Sequence, residues 1–500
     1  MSKMLWLRRR SAMAQSIEIA NVEQAKSSST LPVWALFFWL AQFRRWLRHL
    51  WREIVASSMF ILTKKLYEVE VRGLEHFKYD PFTIVACSHK RDGDIPLVLP
   101  RLYFFLRPNR RKGLRMMYVV TRDDVHESGF LTLYFPTLDR WLRPFIARFR
   151  VTRLFKQLQT CPVKLPDEHT VNQLLHETKR LEGNLRLSEV LTPEWLVRLM
   201  GEEHAANPRL RLKDAIFKAP LNVLSQYATP RIFKEPLATR IMKRHHQTVV
   251  SQLYQISRVL DKGGVIFIAP EGRVTPDGRF GKMRAALTRV VSQTRADVKM
   301  TPVNVTYDFM DTLRPRAIIN IGPEVLSLKL YSKNELAEVV RRSIAGLTCV
   351  TMSGLAGHWL IEAANRGQEG VSYHQLMNDL WSQAQKFKAQ GLPLDQRLEN
   401  RQDFEERLAR LMAYAVEKGK IFRNSLAELQ HLNPNTWFQL DHSALLQPSC
   451  QNHEDHPARY SHNELMSLIE AHNLVEEEPK SGSVLYDLAK ERKQRRLTAG

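Results

Sequence analysis

The chain has 500 residues, a hydrophobic content of 44%, and 74 lysines and arginines against 52 aspartates and glutamates, which gives a net charge of +22. This length exceeds what one hydrophobic core usually serves, so we expect roughly two or three domains. A positive surplus of this size predicts anionic partners, namely nucleic acid, anionic lipid or phosphorylated substrates. The 4 scattered cysteines form neither a zinc-ligand spacing nor a disulfide framework, which is typical of a reducing compartment.

The N-terminal region combines a polar segment with an amphipathic one. Residues 1–30 are polar and serine-rich, and we expect them to be disordered. Residues 31–64 place an apolar helical face beside a basic one; the first holds Phe43, Trp46, Leu47, Leu50, Trp51 and Ile54, and the second Arg44, Arg45, Arg48 and Arg52. Aromatic rings and arginines suit the lipid headgroup level, so this segment predicts an interfacial membrane helix. A helix packed on the protein's own core is the alternative.

Two further features bear on the anionic partner. No apolar run reaches the roughly 18–20 residues that a membrane-spanning helix needs, so we expect peripheral membrane association, on the cytoplasmic side. Residues 101–156 interleave basic residues with aromatics, which suits a lipid-facing patch, a phosphorylated substrate or nucleic acid. No RNA-binding signature, zinc spacing or helix-turn-helix pattern accompanies them, so nucleic acid is the least favoured partner.

Residues 65–330 predict an α/β domain with a mixed central sheet flanked by helices. Its predicted strands are Tyr67–Arg72, Thr83–Cys87, Leu114–Val120, Val265–Ala269, Met300–Tyr307 and Ala317–Ile321. A largely helical insertion is predicted at about 165–260, including helices at Thr170–Leu181 and Leu237–Leu260. Strands that alternate with helices imply that ligands bind at the carboxyl ends of the strands.

The strand signal fades after residue 330. Segments that begin near Ser332, Thr351, Ser372 and Gln402 have helix starts and amphipathic spacing. We therefore predict a separate helical domain at 331–478, followed by a basic tail at 479–500 that is solvated or touches lipid.

The first candidate site is the stretch FTIVACSHKRDGDIP, Phe82–Pro96. A short buried strand ends before His89, and a helix that begins near Asp94 would place this carboxylate in its first turn, where the helix dipole favours it. One strand-to-helix turn can thus hold an imidazole near a carboxylate, which makes a general base with an orienting partner. A strand-capping histidine and a helix-capping aspartate are the structural alternative.

The second candidate site is IAPEGRVTPDGRFGK, Ile268–Lys282. It reads as a tight turn at a strand end, in which Gly272 lets the backbone approach a ligand. Arg273, Arg279 and Lys282 surround this turn, and a helix is predicted from about Lys282 to Gln293. Backbone N–H groups, a helix N-terminus and several cations can bind a phosphate. An ordinary glycine-rich turn with solvated arginines is the alternative.

Taken together and in this order, these residues resemble the glycerolipid acyltransferases. His89 and Asp94 match the family's His-x4-Asp block, Pro270–Gly272 with a following arginine matches its Pro-Glu-Gly block, and Pro302–Val303 matches its proline-bearing strand. The form of Pro302–Asp308 and of Gly370–Gly391 is more similar to the glycerol-3-phosphate and dihydroxyacetone-phosphate branch.

The chain departs from the family pattern in two places. Arg273, Val274 and Thr275 stand where the family usually has Thr-Arg-Ser, so the phosphate-binding arginine is displaced to Arg273 or replaced by Arg279. The family's second block is matched by Pro162–Lys164, or alternatively by Phe149–Arg150.

The resemblance implies an O-acyltransferase that moves a fatty acyl group from acyl-CoA or acyl carrier protein to a hydroxyl of glycerol 3-phosphate. Acylation of 1-acylglycerol 3-phosphate to phosphatidic acid is the alternative, and a non-catalytic protein that binds anionic lipid or nucleic acid is the alternative of another class. His89 would be the base and Asp94 its orienting partner. Glu271, Gly272, Arg273, Arg279, Lys282 and Lys164 would bind substrate. No metal and no cofactor beyond the thioester co-substrate are implied.

Overall fold

The computed structural model describes residues 33–106, 117–123, 158–164, 169–205, 207–310, 314–417, 421–422, 433–447 and 456–476. The contacts divide the chain into two compact units, Met1–Ser57 and Ser58–Gly500. The second unit spans the predicted boundary near residue 330. The predictions for residues 1–30, for Phe149–Arg150, for most of 101–156 and for 479–500 lie outside the described residues.

Strands and helices alternate through the first two thirds of the described chain, and helices dominate the rest. The strands are β1 Glu68–Arg72, β2 Thr83–Cys87, β3 Met117–Arg122, β4 Thr160–Val163, β5 His169–Thr170, β6 Tyr227–Ala228, β7 Val265–Ile268, β8 Lys299–Asp308, β9 Arg316–Ile321, β10 Gly370–Ser372 and β11 Trp437–Gln439. The helices up to the start of β7 are α1 Val33–Leu66, α2 Asp94–Phe105, α3 Val171–Glu182, α4 Leu187–Val190, α5 Pro193–Met200, α6 Glu202–Ala205, α7 Leu212–Lys218, α8 Leu221–Leu224 and α9 Leu237–Asp261. The later helices are α10 Ala285–Gln293, α11 Lys333–Ala345, α12 Met352–Asn365, α13 Tyr373–Ala389, α14 Arg401–Glu417, α15 His442–Leu445 and α16 Pro457–Glu476.

Seven strands form the central sheet, in the order β1-β9-β8-β2-β7-β3-β4. Neighbouring strands pair in parallel except for β8 and β9, which are antiparallel. The predicted mixed α/β sheet is therefore confirmed. Because β8, β2, β7, β3 and β4 all run the same way, their carboxyl ends meet at one edge of the sheet, where the turns after β2 and β7 also lie.

The central strands are buried on both faces, which explains their continuous apolar sequence. In β2 all five residues are buried; Val85 and Cys87 point to one hydrophobic cluster, and Ile84 and Ala86 to the other. The first cluster is closed by α2, and the second by α9, α10 and α11. Helices thus cover both faces of the sheet around the strand that precedes His89.

The insertion between β4 and β7 has its own hydrophobic cluster, which runs from Val171 to Ile241. Its first helix begins where the sequence predicts, because Thr170 and Gln173 form a capping box. Within this insertion, β5 and β6 form an antiparallel two-stranded sheet.

The helix starts predicted after residue 330 are also observed. The side chains of Ser332, Thr351 and Ser372 each cap a helix that begins at the next residue. The predicted helix at Lys282–Gln293 begins later, at Ala285. The reason is local: Arg284 is extended, and its N–H donates to the carbonyl of Pro270 at 3.1 Å.

Helix α1 spans Val33–Leu66 and so covers the predicted interfacial segment. Several of its large apolar side chains are exposed, including Phe38, Trp39 and Trp46. Among the described residues, no helix has both the length and the apolar character to cross a membrane.

Candidate active site

The turns after β2 and β7 are in direct contact, because these two strands are parallel neighbours in the sheet. The backbone N–H of His89 donates to the Glu271 carboxylate at 2.6 Å. The backbone N–H of Thr275 donates in return to the carbonyl of His89 at 3.0 Å. The fold thus joins two sequence motifs that lie 182 residues apart.

His89 and Asp94 face each other across the turn that leads into α2. The distance from Nδ1 of His89 to Oδ2 of Asp94 is 3.8 Å, which is the separation of an ion pair and longer than a hydrogen bond. The Asp94 carboxylate is fully buried and holds three donors: the backbone N–H groups of Lys90 at 2.6 Å and Arg91 at 2.9 Å, and the hydroxyl of Tyr307. These bonds fix the carboxylate beside the imidazole.

The electrostatics of this pair suit a general base. Burial alone would lower the pKa of His89, but the Asp94 carboxylate, with smaller contributions from Glu271 and Asp92, outweighs burial and raises it. Burial and the Asp94 charge raise the pKa of Tyr307 well above its usual value, so its hydroxyl remains a donor. Because Nδ1 of His89 faces Asp94, Nε2 is the nitrogen that can take a proton from a substrate.

The buried carboxylate of Glu271 stabilises the turn after β7 by accepting two backbone hydrogen bonds. Its side chain is 1% exposed, and its Oε1 accepts the backbone N–H of Gly281 at 2.5 Å. Oε2 accepts the N–H of His89, as described above. Burial raises the pKa of Glu271 even though these two backbone donors act to lower it. Both carboxylate oxygens of Glu271 accept backbone N–H groups and so hold the turn in place, while its contact with substrate stays a prediction.

Gly272 adopts a backbone conformation that favours glycine, with φ of 69°. A Cβ at this position would lie 2.7 Å from Cδ of Arg284, so any side chain would push Arg284 away. The structure shows a close approach of the Gly272 backbone to the side chain of Arg284, and the approach to a ligand stays a prediction.

The three predicted cations of the β7 turn, Arg273, Arg279 and Lys282, are exposed. Nε of Arg279 donates to Asn463 at 3.4 Å, which is a long bond to an α16 side chain. Within the part of the chain that the structure describes, no hydrogen bond or ion pair engages the side chains of Arg273 and Lys282. All three cations are thus accessible to an anion from solvent.

Lys164 lies elsewhere and is already paired. It follows β4, which is separated from β2 by β7 and β3, and its side chain is 3% exposed. Its ammonium lies 2.8 Å from Glu177. Burial acts to raise the pKa of Glu177, but the hydrogen bond to His245 and the charge of Lys164 outweigh it and lower the pKa to about 2. The phosphate-binding role of Lys164 stays a prediction, and its ion pair with Glu177 would have to open for the ammonium to reach a phosphate.

Sequence reasoning missed three residues that support the site. The first is Tyr307, and the other two are Lys90 and Glu464, whose charged groups lie 2.8 Å apart in a fully buried ion pair. Burial raises the pKa of Glu464 to about 7, although the charge of Lys90 acts to lower it. Tyr307 alternates with Val303 and Val305 on one face of β8, but nothing in the sequence of α16 distinguishes Glu464 from a solvated helix residue.

Comparisons with known proteins add little to this geometry. No known family model matches the chain, and no curated protein matches it. Among solved structures, the chain matches the crystal structure of the 1-acyl-sn-glycerophosphate (LPA) acyltransferase PlsC from Thermotoga maritima, at 14% identity, over 62% of this chain and 86% of that chain, with a TM-score of 0.29. At this identity and TM-score the match assigns no function.

Proposed function

We propose that this chain is an O-acyltransferase that moves a fatty acyl group from a thioester to a hydroxyl of glycerol 3-phosphate. The observation that carries the proposal is the contact between the turn of His89 and Asp94 and the turn of Glu271 and Gly272. A buried carboxylate next to a half-buried imidazole supplies a base, and exposed cations on the adjoining turn supply an anion site.

The proposed reaction needs one proton relay and no enzyme nucleophile. Nε2 of His89 takes the proton of the acceptor hydroxyl while its oxygen attacks the thioester carbonyl. The C–S bond then breaks, and the departing thiolate takes the proton back from the imidazolium. Asp94 stabilises this imidazolium and orients the ring. Such base catalysis contributes about 10²–10⁴-fold, and positioning of the hydroxyl supplies much of the rest.

The acceptor is proposed from the charges of the β7 turn. Arg273, Arg279 and Lys282 offer guanidinium and ammonium donors to a phosphate group, and such charge-assisted bonds are stronger than neutral ones. The form of Pro302–Asp308, which is similar to the glycerol-3-phosphate branch of the acyltransferases, favours glycerol 3-phosphate over its 1-acyl derivative as the acceptor.

The test is an acceptor panel with the purified full chain. Acyl-CoA and acyl carrier protein are supplied separately as donors, and glycerol 3-phosphate, 1-acylglycerol 3-phosphate and unphosphorylated glycerol as acceptors; products are identified by mass spectrometry. We expect a monoacyl product from glycerol 3-phosphate and none from glycerol. Product from the 1-acyl acceptor alone would replace the proposed acceptor, and no acyl transfer to either phosphorylated acceptor would overturn the proposal.

The role of the cations is tested by Arg279→Gln, with Arg289→Gln as the matched control. Arg289 is an exposed arginine on α10, outside the turn. We expect Arg279→Gln to raise KM for the phosphorylated acceptor about tenfold, equivalent to roughly 1.4 kcal/mol of binding, while KM for the acyl donor stays the same. Equal KM values for the two variants would remove Arg279 from the phosphate site.

We further propose that the chain associates peripherally with the cytoplasmic side of a membrane through α1. The side chains of Phe38, Trp39 and Trp46 are 63%, 62% and 56% exposed, and aromatic side chains partition to the lipid headgroup level. We expect Trp39→Ala with Trp46→Ala to reduce co-sedimentation with phosphatidylglycerol vesicles. Trp437→Ala is the control, because this tryptophan is also 56% exposed; an equal reduction in both would contradict the proposal.

A further inference from the structure

The helical insertion holds a group of side chains that the acyltransferase proposal does not use. His169 on β5, Glu177 on α3 and His245 on α9 are all buried, and their potential ligand atoms lie within 4.8 Å of one another. This is the one group of three metal-ligating side chains among the described residues. We propose that these three residues form a binding site for a zinc ion.

The spacing suits a zinc ion with little rearrangement. Nε2 of His245 lies 2.9 Å from Oε2 of Glu177, and the rings of His169 and His245 stack with centroids 4.7 Å apart. Zinc bonds of about 2.0–2.2 Å in a tetrahedral site place ligand atoms about 3.4 Å apart. The His245–Glu177 pair would therefore open by about 0.5 Å, and a pair at the 4.8 Å limit would close by about 1.4 Å.

The ligand types of the three residues favour zinc. Two imidazoles and one carboxylate form a ligand set that zinc uses in sites with a fourth position open to water. Calcium and magnesium prefer oxygen ligands alone, so two buried histidines disfavour them. With side-chain exposures of 2% for His169, 5% for Glu177 and 1% for His245, the ligands are already removed from bulk water.

The backbone holds each ligand on a defined element. His169 pairs with Ala228 in the short sheet of β5 and β6, and it precedes the capping box of α3. Glu177 is in the middle of α3, and His245 is on the 25-residue helix α9. Ligands on paired strands and capped helices keep their relative positions better than ligands on loops.

Lys164 is the competitor of the metal. Its ammonium lies 2.8 Å from Oε2 of Glu177, the oxygen that also faces His245. The ammonium repels a zinc ion that binds near this oxygen, and the size of the repulsion depends on the local dielectric constant. Removal of the Lys164 charge should therefore strengthen zinc binding.

The experiment measures zinc rather than activity, so its outcome is independent of the acyltransferase proposal. The full chain is stripped with a chelator, dialysed, and titrated with zinc in competition with a chromophoric chelator; cobalt is added separately to record its visible absorption bands. The variants are His169→Gln, His245→Gln and Lys164→Met. The control is His246→Gln, because His246 is an exposed neighbour of His245 on the same helix. Circular dichroism checks that each variant is folded.

We expect one zinc ion per wild-type chain and the cobalt spectrum of a four- or five-coordinate nitrogen and oxygen site. Zinc affinity should fall about 100-fold or more in His169→Gln and His245→Gln, since loss of an outer-shell partner alone costs 10–100-fold. It should stay unchanged in His246→Gln and rise about tenfold in Lys164→Met. No saturable zinc binding by wild type, or equal binding by folded His169→Gln and wild type, would overturn the inference.

Discussion

The sheet edge that carries the candidate active site also carries a second group of charges, and the two are built in opposite ways. This ion network includes Glu70, Asp308, Arg316, Asp395 and Arg407, and Arg72 also pairs with its Glu70 and Asp395. Arg316 donates to both Glu70 and Asp395, and Nη1 of Arg407 lies 3.7 Å from carboxylate oxygens of Asp308 and Asp395. Every member faces an opposite charge.

The turns of the candidate active site are less completely paired. The imidazole of His89 pairs only loosely with Asp94, at 3.8 Å, and Nδ1 of His89 makes no hydrogen bond among the described residues. Arg273 and Lys282 are exposed. Buried charges that are mutually paired hold a structure together, whereas a half-buried imidazole with one partner and open cations nearby can still bind and react. The difference separates mutually paired charges from the more open charges of the candidate active site on one edge of the sheet.

The largest expected effect on stability comes from Asp395→Asn in the ion network. This change leaves the buried guanidinium groups of Arg316 and Arg407 without their shared carboxylate, so the free energy of unfolding should fall by about 3–5 kcal/mol. Urea denaturation measures it. The rate of acyl transfer per folded molecule should stay the same, because no residue of the network contacts the His89 turn within the described part of the chain.

The matched control for this change is Glu399→Gln. Glu399 pairs with Lys388 at 2.7 Å, but the two side chains are 43% and 47% exposed. Exposed pairs contribute about 0–1 kcal/mol, so the loss should be small. An equal fall in the free energy of unfolding in the two variants would contradict a larger contribution from the buried network than from an exposed ion pair.

Tyr307→Phe should affect both stability and rate, because Tyr307 lies in the core and touches the site. Loss of its hydroxyl removes one of the three donors to the buried Asp94, at a cost of about 1–3 kcal/mol. We expect the rate to fall on the order of tenfold as Asp94 loses its fixed orientation. Tyr67→Phe is the control, since this ring lies 5.8 Å from that of Tyr307; equal rates in both variants would make Tyr307 purely structural.

The smallest expected effect is a shift in pH dependence. The rate should rise with pH through the pKa of His89, which lies above the usual value of about 6.5 because the Asp94 charge raises it. In Asp94→Asn, burial prevails and the rising limb should move to lower pH, while the maximal rate falls. Asp92→Asn should move the limb in the same direction by less, because Asp92 contributes least to the shift.

The raised pKa of His89 also makes the stability of the fold depend on pH. Because the pKa of His89 is higher in the folded than in the unfolded chain, its stabilising contribution is complete below the unfolded pKa and is lost as pH rises through the folded pKa. For the rate, a rising limb of the pH profile that moved to higher pH in Asp94→Asn would contradict the assignment of Asp94 as the partner of His89.

Local patterns predicted the elements that place the site. The buried run Thr83–Cys87 and the dipole-favoured Asp94 predicted β2 and the start of α2, since strand burial and helix capping depend on neighbours in sequence. The sequence did not predict the start of α10, because a backbone hydrogen bond from Arg284 to Pro270 holds the preceding segment extended.

Side-chain partners were harder to predict than elements. The resemblance places Glu271 and Lys164 at the substrate, and the structure adds buried partners that the sequence does not reveal: backbone donors around Glu271 and the Glu177 carboxylate beside Lys164. Glu464 is 374 residues from Lys90, and no periodicity in a single sequence links positions that far apart.

The most direct test of the central claim is the rate of acyl transfer in His89→Ala, measured beside wild type together with the free energy of unfolding. If His89 is the base, the rate should fall by about 10²–10⁴-fold, while the unfolding free energy changes by no more than about 1 kcal/mol. Acyl transfer by folded His89→Ala at the wild-type rate would contradict the proposed site.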